Sequence, residues 1–303
     1  MLSLFGPGKS RRGAMRTEEA AGKTSGISVV VPAYNAAGEI SSTIERIRNE
    51  LAPLDERLEF IVVDDGSTDR TAALAALSGA DVRCLRSSRN RGKGWAVYRG
   101  VRAARFGTVC FTDADGPFLF GSYRAVVERA LRGGSLVIGS RRLSASQMLV
   151  KMEVLNYAAR RHLVGLAFNR LLRQLLRLPI YDTQCGLKAF AREVGVQLVE
   201  RIRSFGYLFD VELLLAARSL GIPVEEVAVS VAYRERKTSL RLMRESASMG
   251  LGLLWIALQD RRGLYASPNP ELPLLESAEE RAVEELTLAG DASPAESRGA
   301  LPG

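Results

Sequence analysis

Two aspartates one residue apart, Asp113 and Asp115, follow the short apolar run Val109-Cys110-Phe111. On extended backbone, residues i and i+2 project to the same side, so both carboxylates can converge while Ala114 turns away. Carboxylate oxygens are preferred ligands of Mg²⁺ and Mn²⁺, and two of them leave coordination positions for water and phosphate oxygens. The pair therefore predicts a divalent metal site, with a simple turn or cap at a strand end as the alternative.

Three other polar loops follow apolar runs. Asp64 ends one run and opens an acidic turn, where a carboxylate can accept a hydrogen bond from a base or ribose. Pro32 fixes the backbone after the first run, and the Tyr34 ring offers a stacking face. Residues 89–94, RNRGKG, form a basic, glycine-containing entry to a helix that suits a pyrophosphate. Since ligands of open α/β sheets lie at the carboxyl ends of strands, these loops predict one shared site.

The elements that must position these loops alternate along the chain. Amphipathic stretches separate short β-branched runs at 27–31, 59–63, 82–85, 108–112, 135–139 and 227–233. This alternation predicts an α/β domain over 27–238, with a mostly parallel sheet flanked by helices. The runs are continuously apolar, which is typical of strands covered on both faces.

Two basic amphipathic elements interrupt or follow this pattern. Residues 141–178 form a predicted helical insertion in which Arg170, Arg173 and Arg177 border an apolar stripe. A second amphipathic helix is predicted over 239–261. Such helices can lie at the surface of an anionic membrane, or they can pack their stripe on the protein core.

Charge and composition limit the remaining possibilities. The net charge of +8 implies an anionic partner, which could be nucleic acid, an acidic membrane or a phosphorylated substrate. Three cysteines without paired spacing indicate no disulfide framework, and the single histidine, His162, leaves little material for a histidine metal site.

The segment 1–26 is interpreted as a disordered basic arm, and 262–303 as an acidic, largely disordered tail with one helical segment near 277–288.

Seven motifs resemble those of the family-2 glycosyltransferases of GT-A fold, a Rossmann-like nucleotide-diphospho-sugar transferase fold. They are VVPAYNAAGEI (30–40), VVDDGSTD (62–69), NRGKGWAVYRG (90–100), TDADG (112–116), GSRR (139–142), DTQCGLKAF (182–190) and FGYLFDVELL (205–214). The last two are the more specific motifs, and together they look most like the dolichyl-phosphate (polyprenyl-phosphate) beta-glucosyltransferase branch.

The resemblance implies a role for each matching residue. It implies nucleotide-sugar contacts by Pro32, Ala33, Tyr34, Glu39, Asp64, Asp65, Lys93, Asp113 and Ala114. It implies a Mg²⁺ or Mn²⁺ ion held by Asp113 and Asp115. It implies catalytic roles for Asp115, Arg141, Lys188 and Asp210, and acceptor-phosphate contacts by Lys188, Arg234 and Lys237.

The expected function is inverting, metal-dependent transfer of a hexose, most simply glucose from UDP-glucose, to a polyprenyl phosphate. A phosphate acceptor is largely anionic near neutral pH and needs little help from a base. The protein is expected to be cytoplasmic and peripherally bound to a membrane, without a nucleic-acid partner. The alternatives are GDP-mannose or another donor, and a soluble hydroxyl acceptor with Asp210 or Glu212 as base. A dinucleotide oxidoreductase is disfavoured, because PAYN follows the first strand where a glycine-rich turn would be needed.

Overall fold

The computed structural model describes residues 25–150, 155–232 and 239–291. Its strands are β1 (Ile27–Ala33), β2 (Leu58–Asp64), β3 (Val82–Arg86), β4 (Thr108–Phe111), β5 (Phe118–Leu119), β6 (Leu136–Ser140), β7 (Met148–Leu149), β8 (Lys188–Ala191), β9 (Val224–Ala228) and β10 (Ser230–Ala232). Its helices are α1 (Ile40–Leu51), α2 (Thr71–Ala76), α3 (Lys93–Ala103), α4 (Ser122–Ala130), α5 (Leu155–Leu176), α6 (Arg192–Val199), α7 (Phe209–Ser219), α8 (Ser239–Arg261) and α9 (Leu272–Asp291).

Seven strands form the main sheet, in the order β3-β2-β1-β4-β8-β6-β9. Neighbours pair in parallel except β8, which runs antiparallel to both β4 and β6. A small second sheet has the order β5-β10-β7. The expected fold class, a mostly parallel sheet flanked by helices, is confirmed. The carboxyl ends of β1, β2 and β4 consequently share one edge, because parallel strands point the same way.

The sheet is covered on both faces, and β1 at its centre is buried along its whole length. Alternate residues of β1 serve different faces: Val30 packs into a cluster with α3 and α7, whereas Val29 and Val31 pack into a cluster with α1 and α4. A strand with two dry faces favours apolar residues, which explains the VVV run, and its buried Ser28 donates a hydrogen bond to Glu59 at 2.6 Å.

Three local predictions differ from the structure. The insertion 141–178 is not helical throughout, since the described residues before α5 form turns and the short strand β7. The run 227–233 divides at Val229, because β10 leaves the main sheet to pair with β5 and β7. Strand β8 was missed as an element because it is only four residues long and begins with a lysine.

The prediction of a largely disordered acidic tail from 262 is wrong for the described residues up to 291. Tyr265 and Leu272 are buried, and the Asn269 side chain donates to the carbonyl of Ile202 at 2.9 Å. Apolar burial and hydrogen bonding of this kind offset the entropy cost of ordering a segment. The arm at 1–24 and residues 292–303 lie outside the described residues.

Candidate active site

The loops after β1 and β2 are hydrogen-bonded into one unit. The Asp65 amide donates to the carbonyl of Ala33 at 2.8 Å, and the Asn35 amide donates to the Ser67 hydroxyl at 2.9 Å. The Asn35 side chain in turn accepts from the Thr68 amide at 2.9 Å. Asn35 has a φ of 50°, a left-handed conformation that asparagine tolerates better than most residues. These bonds hold the two strand ends in a common shape.

Asp64 lies at the base of this unit, and one of its two carboxylate oxygens accepts a hydrogen bond within it. Its Oδ1 accepts from the Ser67 amide at 3.0 Å. Its Oδ2 is buried and has no hydrogen-bond partner among the described residues, although Arg86 Nε lies 3.5 Å away as an ion pair. Ala33 pairs with Asp64 in the sheet, so Tyr34, half exposed, follows directly beside this carboxylate. A planar base with an N–H donor fits this arrangement.

Two further residues, Pro32 and Glu39, were also expected near the nucleoside. Pro32 is buried in β1 and pairs with Val63. Glu39 is half-buried immediately before α1 and makes no side-chain cap bond to that helix.

Asp65 shapes the basic loop between β3 and α3. Its carboxylate accepts from the amides of Arg91, at 3.0 Å, and Gly92, at 2.7 Å. Burial raises the pKa of Asp65, and the two backbone bonds oppose that rise. The carboxylate therefore holds the loop backbone rather than facing open space.

A residue that sequence reasoning missed braces the same loop from α9. Glu279 is fully buried; it accepts from the Ser88 amide and from Arg91 Nε, the latter at 2.7 Å. Burial raises the pKa of Glu279, but the bonds from Ser88 and Arg91 outweigh this and leave it below its usual value. Only the three-dimensional contact reveals this role, since the sequence around Glu279 is simply acidic.

Lys93 begins α3 and reaches the acidic pair after β4. Its Nζ lies 2.7 Å from Asp113 Oδ1 and 3.7 Å from Asp210 Oδ2. Burial lowers the pKa of Lys93, but the charges of Asp113 and Asp210 outweigh burial and leave that pKa above its usual value. The preceding Gly92 has a φ of 108°, and a Cβ there would lie 2.4 Å from the Phe205 carbonyl oxygen. Glycine is therefore required for the chain to present Lys93 in this way.

Lys188, at the start of β8, is joined to the same group of charges. It is fully buried, forms an ion pair with Asp210 and donates to the Cys185 carbonyl at 2.7 Å. Asp210 thus lies between two lysines, at the start of α7. A phosphate role for Lys188 remains a prediction, and the structure places its ammonium in the interior.

The Asp113 carboxylate lies directly against Gly186. The side chain of Asp113 is about a third exposed, and a Cβ on Gly186 would lie 2.0 Å from its Oδ2. The sequence places Gly186 in the DTQCGLK motif but contains no signal for this contact.

We expect Gly186→Ala to lower turnover about 100-fold, because the new methyl group must displace the Asp113 carboxylate and a shift of about 1 Å in an active site has this effect. The measurement is kcat for sugar transfer together with the melting temperature. Gly250→Ala in α8 is the matched control, since nothing lies within 4 Å of a Cβ there. Full activity of the Gly186 variant would contradict the assignment of Asp113 to the site.

Arg141 is held by an acid that sequence reasoning did not single out. Its guanidinium makes a two-pronged contact with Asp182, at 2.7 Å and 2.8 Å, and its amide donates to the same carboxylate at 3.0 Å. Burial raises the pKa of Asp182, yet the bonds and charge of Arg141 outweigh burial and lower it. Arg141 therefore has a defined orientation before any substrate arrives.

The remaining predicted residues separate into three cases. Ala114 and Asp115 are half-buried after β4, beside Asp113. Glu212, the alternative base, is fully buried and accepts from Ser204 and Tyr265, which makes it a structural acceptor. The expected acceptor-phosphate residues Arg234 and Lys237 lie outside the described residues.

The residues after β4 fit a divalent metal by their chemistry. Asp113 and Asp115 supply hard oxygen ligands, and the absent side chain of Gly186 leaves room for the Asp113 carboxylate. Within 25–150, 155–232 and 239–291, no group of three or more His, Cys, Asp or Glu residues could hold a metal. Water and donor phosphate oxygens are suitable further ligands for an ion held by two carboxylates.

Comparison with known proteins decides the family. The glycosyl transferase family 2 model matches residues 28–195, more than half of the chain. The chain belongs to glycosyl transferase family 2. It is 34% identical over 221 residues to a dolichyl-phosphate beta-glucosyltransferase of Dictyostelium discoideum. This alignment covers 67% of this chain and 65% of that protein. It is 33% identical over 262 residues to the Mus musculus protein of the same name, which covers 80% of this chain and 78% of that protein.

A solved structure supports the same assignment. Glucosyl-3-phosphoglycerate synthase from Mycobacterium tuberculosis, in complex with Mn²⁺, UDP and glucosyl-3-phosphoglycerate, matches with a TM-score of 0.52 and 25% identity. The match covers 88% of each chain. The family and fold expected from the motifs of this glycosyltransferase are thus confirmed. Among the described helices, none has the length and apolar character needed to cross a membrane.

Proposed function

We propose that this glycosyltransferase moves glucose from UDP-glucose to a polyprenyl phosphate, with a divalent metal ion. The observation that carries the proposal is the arrangement at the carboxyl edge of the sheet. Lys93 contacts Asp113 there, next to Asp115. Asp64 Oδ2 lies at the end of β2, on the far side of β1, buried and without a hydrogen-bond partner among the described residues. The names of the two curated relatives support glucose and a dolichyl-type acceptor.

The donor would bind along this edge. Asp64 would accept the N–H of the uracil ring, and Tyr34 would stack on the base. Asp113 and Asp115 would hold Mg²⁺ or Mn²⁺, which when bound neutralises charge on the diphosphate leaving group. Lys93 would shift from Asp113 toward the same diphosphate, because its ammonium remains protonated near neutral pH.

Transfer then requires positioning more than proton removal. An oxygen of the acceptor phosphate forms a bond to the anomeric carbon while the bond from that carbon to the diphosphate oxygen breaks, so the anomeric configuration inverts. The electron pair of the broken bond leaves with UDP. Because the nucleophile is already an anion, Asp210 need not act as a base, which agrees with its position between Lys93 and Lys188.

The surface of α5 and α8 supports a peripheral position at a membrane. The two helices contact each other. Both carry exposed apolar side chains: Leu163, Leu166, Leu171, Leu251, Leu254, Trp255 and Leu258. Arg170 and Arg177 are exposed beside this apolar surface. An apolar face with a cationic border is suited to the interface of an anionic leaflet.

A second candidate is transfer to a soluble phosphorylated acid, and the match to the mycobacterial synthase favours it. The two functions differ in the solubility of their products. They do not differ in the expected donor site.

The test is transfer of radiolabelled sugar from UDP-glucose, and from GDP-mannose as the comparison donor, to undecaprenyl or dolichyl phosphate in detergent. We expect an organic-soluble product from UDP-glucose that is lost on addition of EDTA and restored by Mn²⁺ or Mg²⁺. A parallel reaction offers 3-phosphoglycerate as acceptor. Product formed only in that reaction would contradict the lipid acceptor, and product formed only from GDP-mannose would contradict the donor.

A further inference from the structure

Two arginines near α5 have unusual surroundings. Arg142 is half-buried, and its Nε and Nη1 are buried without a hydrogen-bond partner among the residues that the structure describes. Its Nη2 makes only a 3.3 Å bond to the Gly165 carbonyl. Arg173 Nε is likewise buried and has no hydrogen-bond partner within 25–150, 155–232 and 239–291, and the guanidinium lies over the Tyr181 ring at 5.1 Å. Buried N–H donors of a charged group are costly unless an acceptor satisfies them.

Other arginines whose Nε is buried without a hydrogen bond in the described part of the chain differ in one respect. Each donates a different guanidinium N–H to a backbone carbonyl at 2.5 to 2.8 Å; they are Arg46, Arg83, Arg201 and Arg203. In the described part of the chain, neither Arg142 nor Arg173 has such a short bond or an ion pair with a carboxylate. The two are therefore the least satisfied guanidinium groups of this set.

Two acids of the described part of the chain, Asp182 and Glu226, are engaged by other groups. Asp182 is already engaged by the guanidinium and amide of Arg141. Glu226 accepts from the amides of Tyr181 and Asp182, at 2.8 Å and 3.0 Å. Burial lowers the pKa of Arg142, and the positive charges of Arg141 and Arg173 lower it further. The negative charge of Asp182 raises this pKa but does not outweigh them. Positive charge is thus in local excess, and an anion would relieve it.

We propose that Arg142 and Arg173 bind a phosphate group, in a site additional to the catalytic centre. A cleft of about 310 Å³ lies against α5 and is lined by Arg170, Arg173, Gln174 and Leu178. Guanidinium groups match phosphate oxygens with paired N–H donors, so the tetrahedral anion satisfies several unpartnered donors together. The phosphate can come from a free phosphate monoester or from a lipid headgroup, since exposed Leu171 lies on the same helix.

The test measures binding rather than sugar transfer, so its failure is distinguishable from failure of the proposed function. Inorganic phosphate is titrated calorimetrically with saturating UDP and Mn²⁺, which occupy the donor site. We expect Arg142→Gln and Arg173→Gln each to weaken phosphate binding at least about tenfold, as loss of charge-assisted hydrogen bonds predicts. Arg132→Gln is the matched control, because it removes an exposed charge from the segment between α4 and β6 and is expected to bind as the wild type does.

A second arm identifies the source of the phosphate. Co-sedimentation is measured with phosphatidylcholine vesicles that contain or lack phosphatidic acid. Binding that requires phosphatidic acid and is lost in the Arg142 and Arg173 variants assigns the site to a lipid headgroup. Loss confined to the titration with inorganic phosphate assigns it to a free monoester. Equal binding by all variants, or an equal loss in Arg132→Gln, would overturn the site, provided that circular dichroism shows each variant folded.

Discussion

Asp115→Asn is expected to lower kcat for sugar transfer by at least about 100-fold, since one charged ligand of the divalent ion is lost where negative charge develops on the leaving diphosphate. The substitution keeps the size of a half-buried side chain, so the fold should persist. The measurements are initial rates at saturating UDP-glucose and Mn²⁺ binding by electron paramagnetic resonance in the presence of UDP. Weaker Mn²⁺ binding should accompany the lower rate.

Asp81→Asn provides the control for this experiment. Asp81 pairs with Arg48 at 2.7 Å, and it precedes β3, so it lies at the amino end of the parallel strands, opposite the proposed site. The control removes the same charge and should leave both rate and Mn²⁺ binding unchanged. A wild-type rate in the Asp115 variant would rule out the metal assignment at the end of β4.

Lys188→Met is expected to lower the free energy of unfolding by about 3–5 kcal/mol, the usual effect of removing one partner of a buried ion pair. Lys188 is fully buried, and Asp210 is nearly so. Without Lys188, the remaining ion-pair partner of the Asp210 carboxylate among the described residues would be the more distant Lys93, at 3.7 Å. Urea unfolding followed by circular dichroism measures the change. A loss below about 1 kcal/mol would show that the pair does not stabilise the fold.

A double variant separates the uncompensated charge from lost packing. Lys188→Met with Asp210→Asn removes both charges and keeps similar volumes, so much of the stability should return. No recovery would indicate that the cost of Lys188→Met comes from its packing over Phe111, whose ring centre lies 5.4 Å from Nζ.

The strands and their carboxyl ends could be predicted from the sequence because both depend on local pattern. An apolar run such as residues 27–31 must be buried on both faces, and Asp64 and Asp113 follow directly from where such runs stop. Strand β8 escaped this reasoning, because its four residues begin with a lysine and form no continuous β-branched run.

Glu279 shows why the acidic C-terminal segment was misjudged. Acidic composition favours solvation, but the Glu279 carboxylate is buried against Ser88 and Arg91, which are 191 and 188 residues away along the chain. Local composition does not encode such a partner. The same holds for Arg141 and Asp182, whose 41-residue separation carries no periodic signal.

The sequence by itself determined the α/β class, the family motifs and the polar residues at the strand ends, because those depend on the order of residues along one chain. Only the tertiary structure decided which charges meet. It joined Lys93 to Asp113, placed Gly186 behind that carboxylate and buried Lys188 against Asp210. These contacts arise between segments that become neighbours only when the sheet and its helices pack, and each depends on distances that no local pattern specifies.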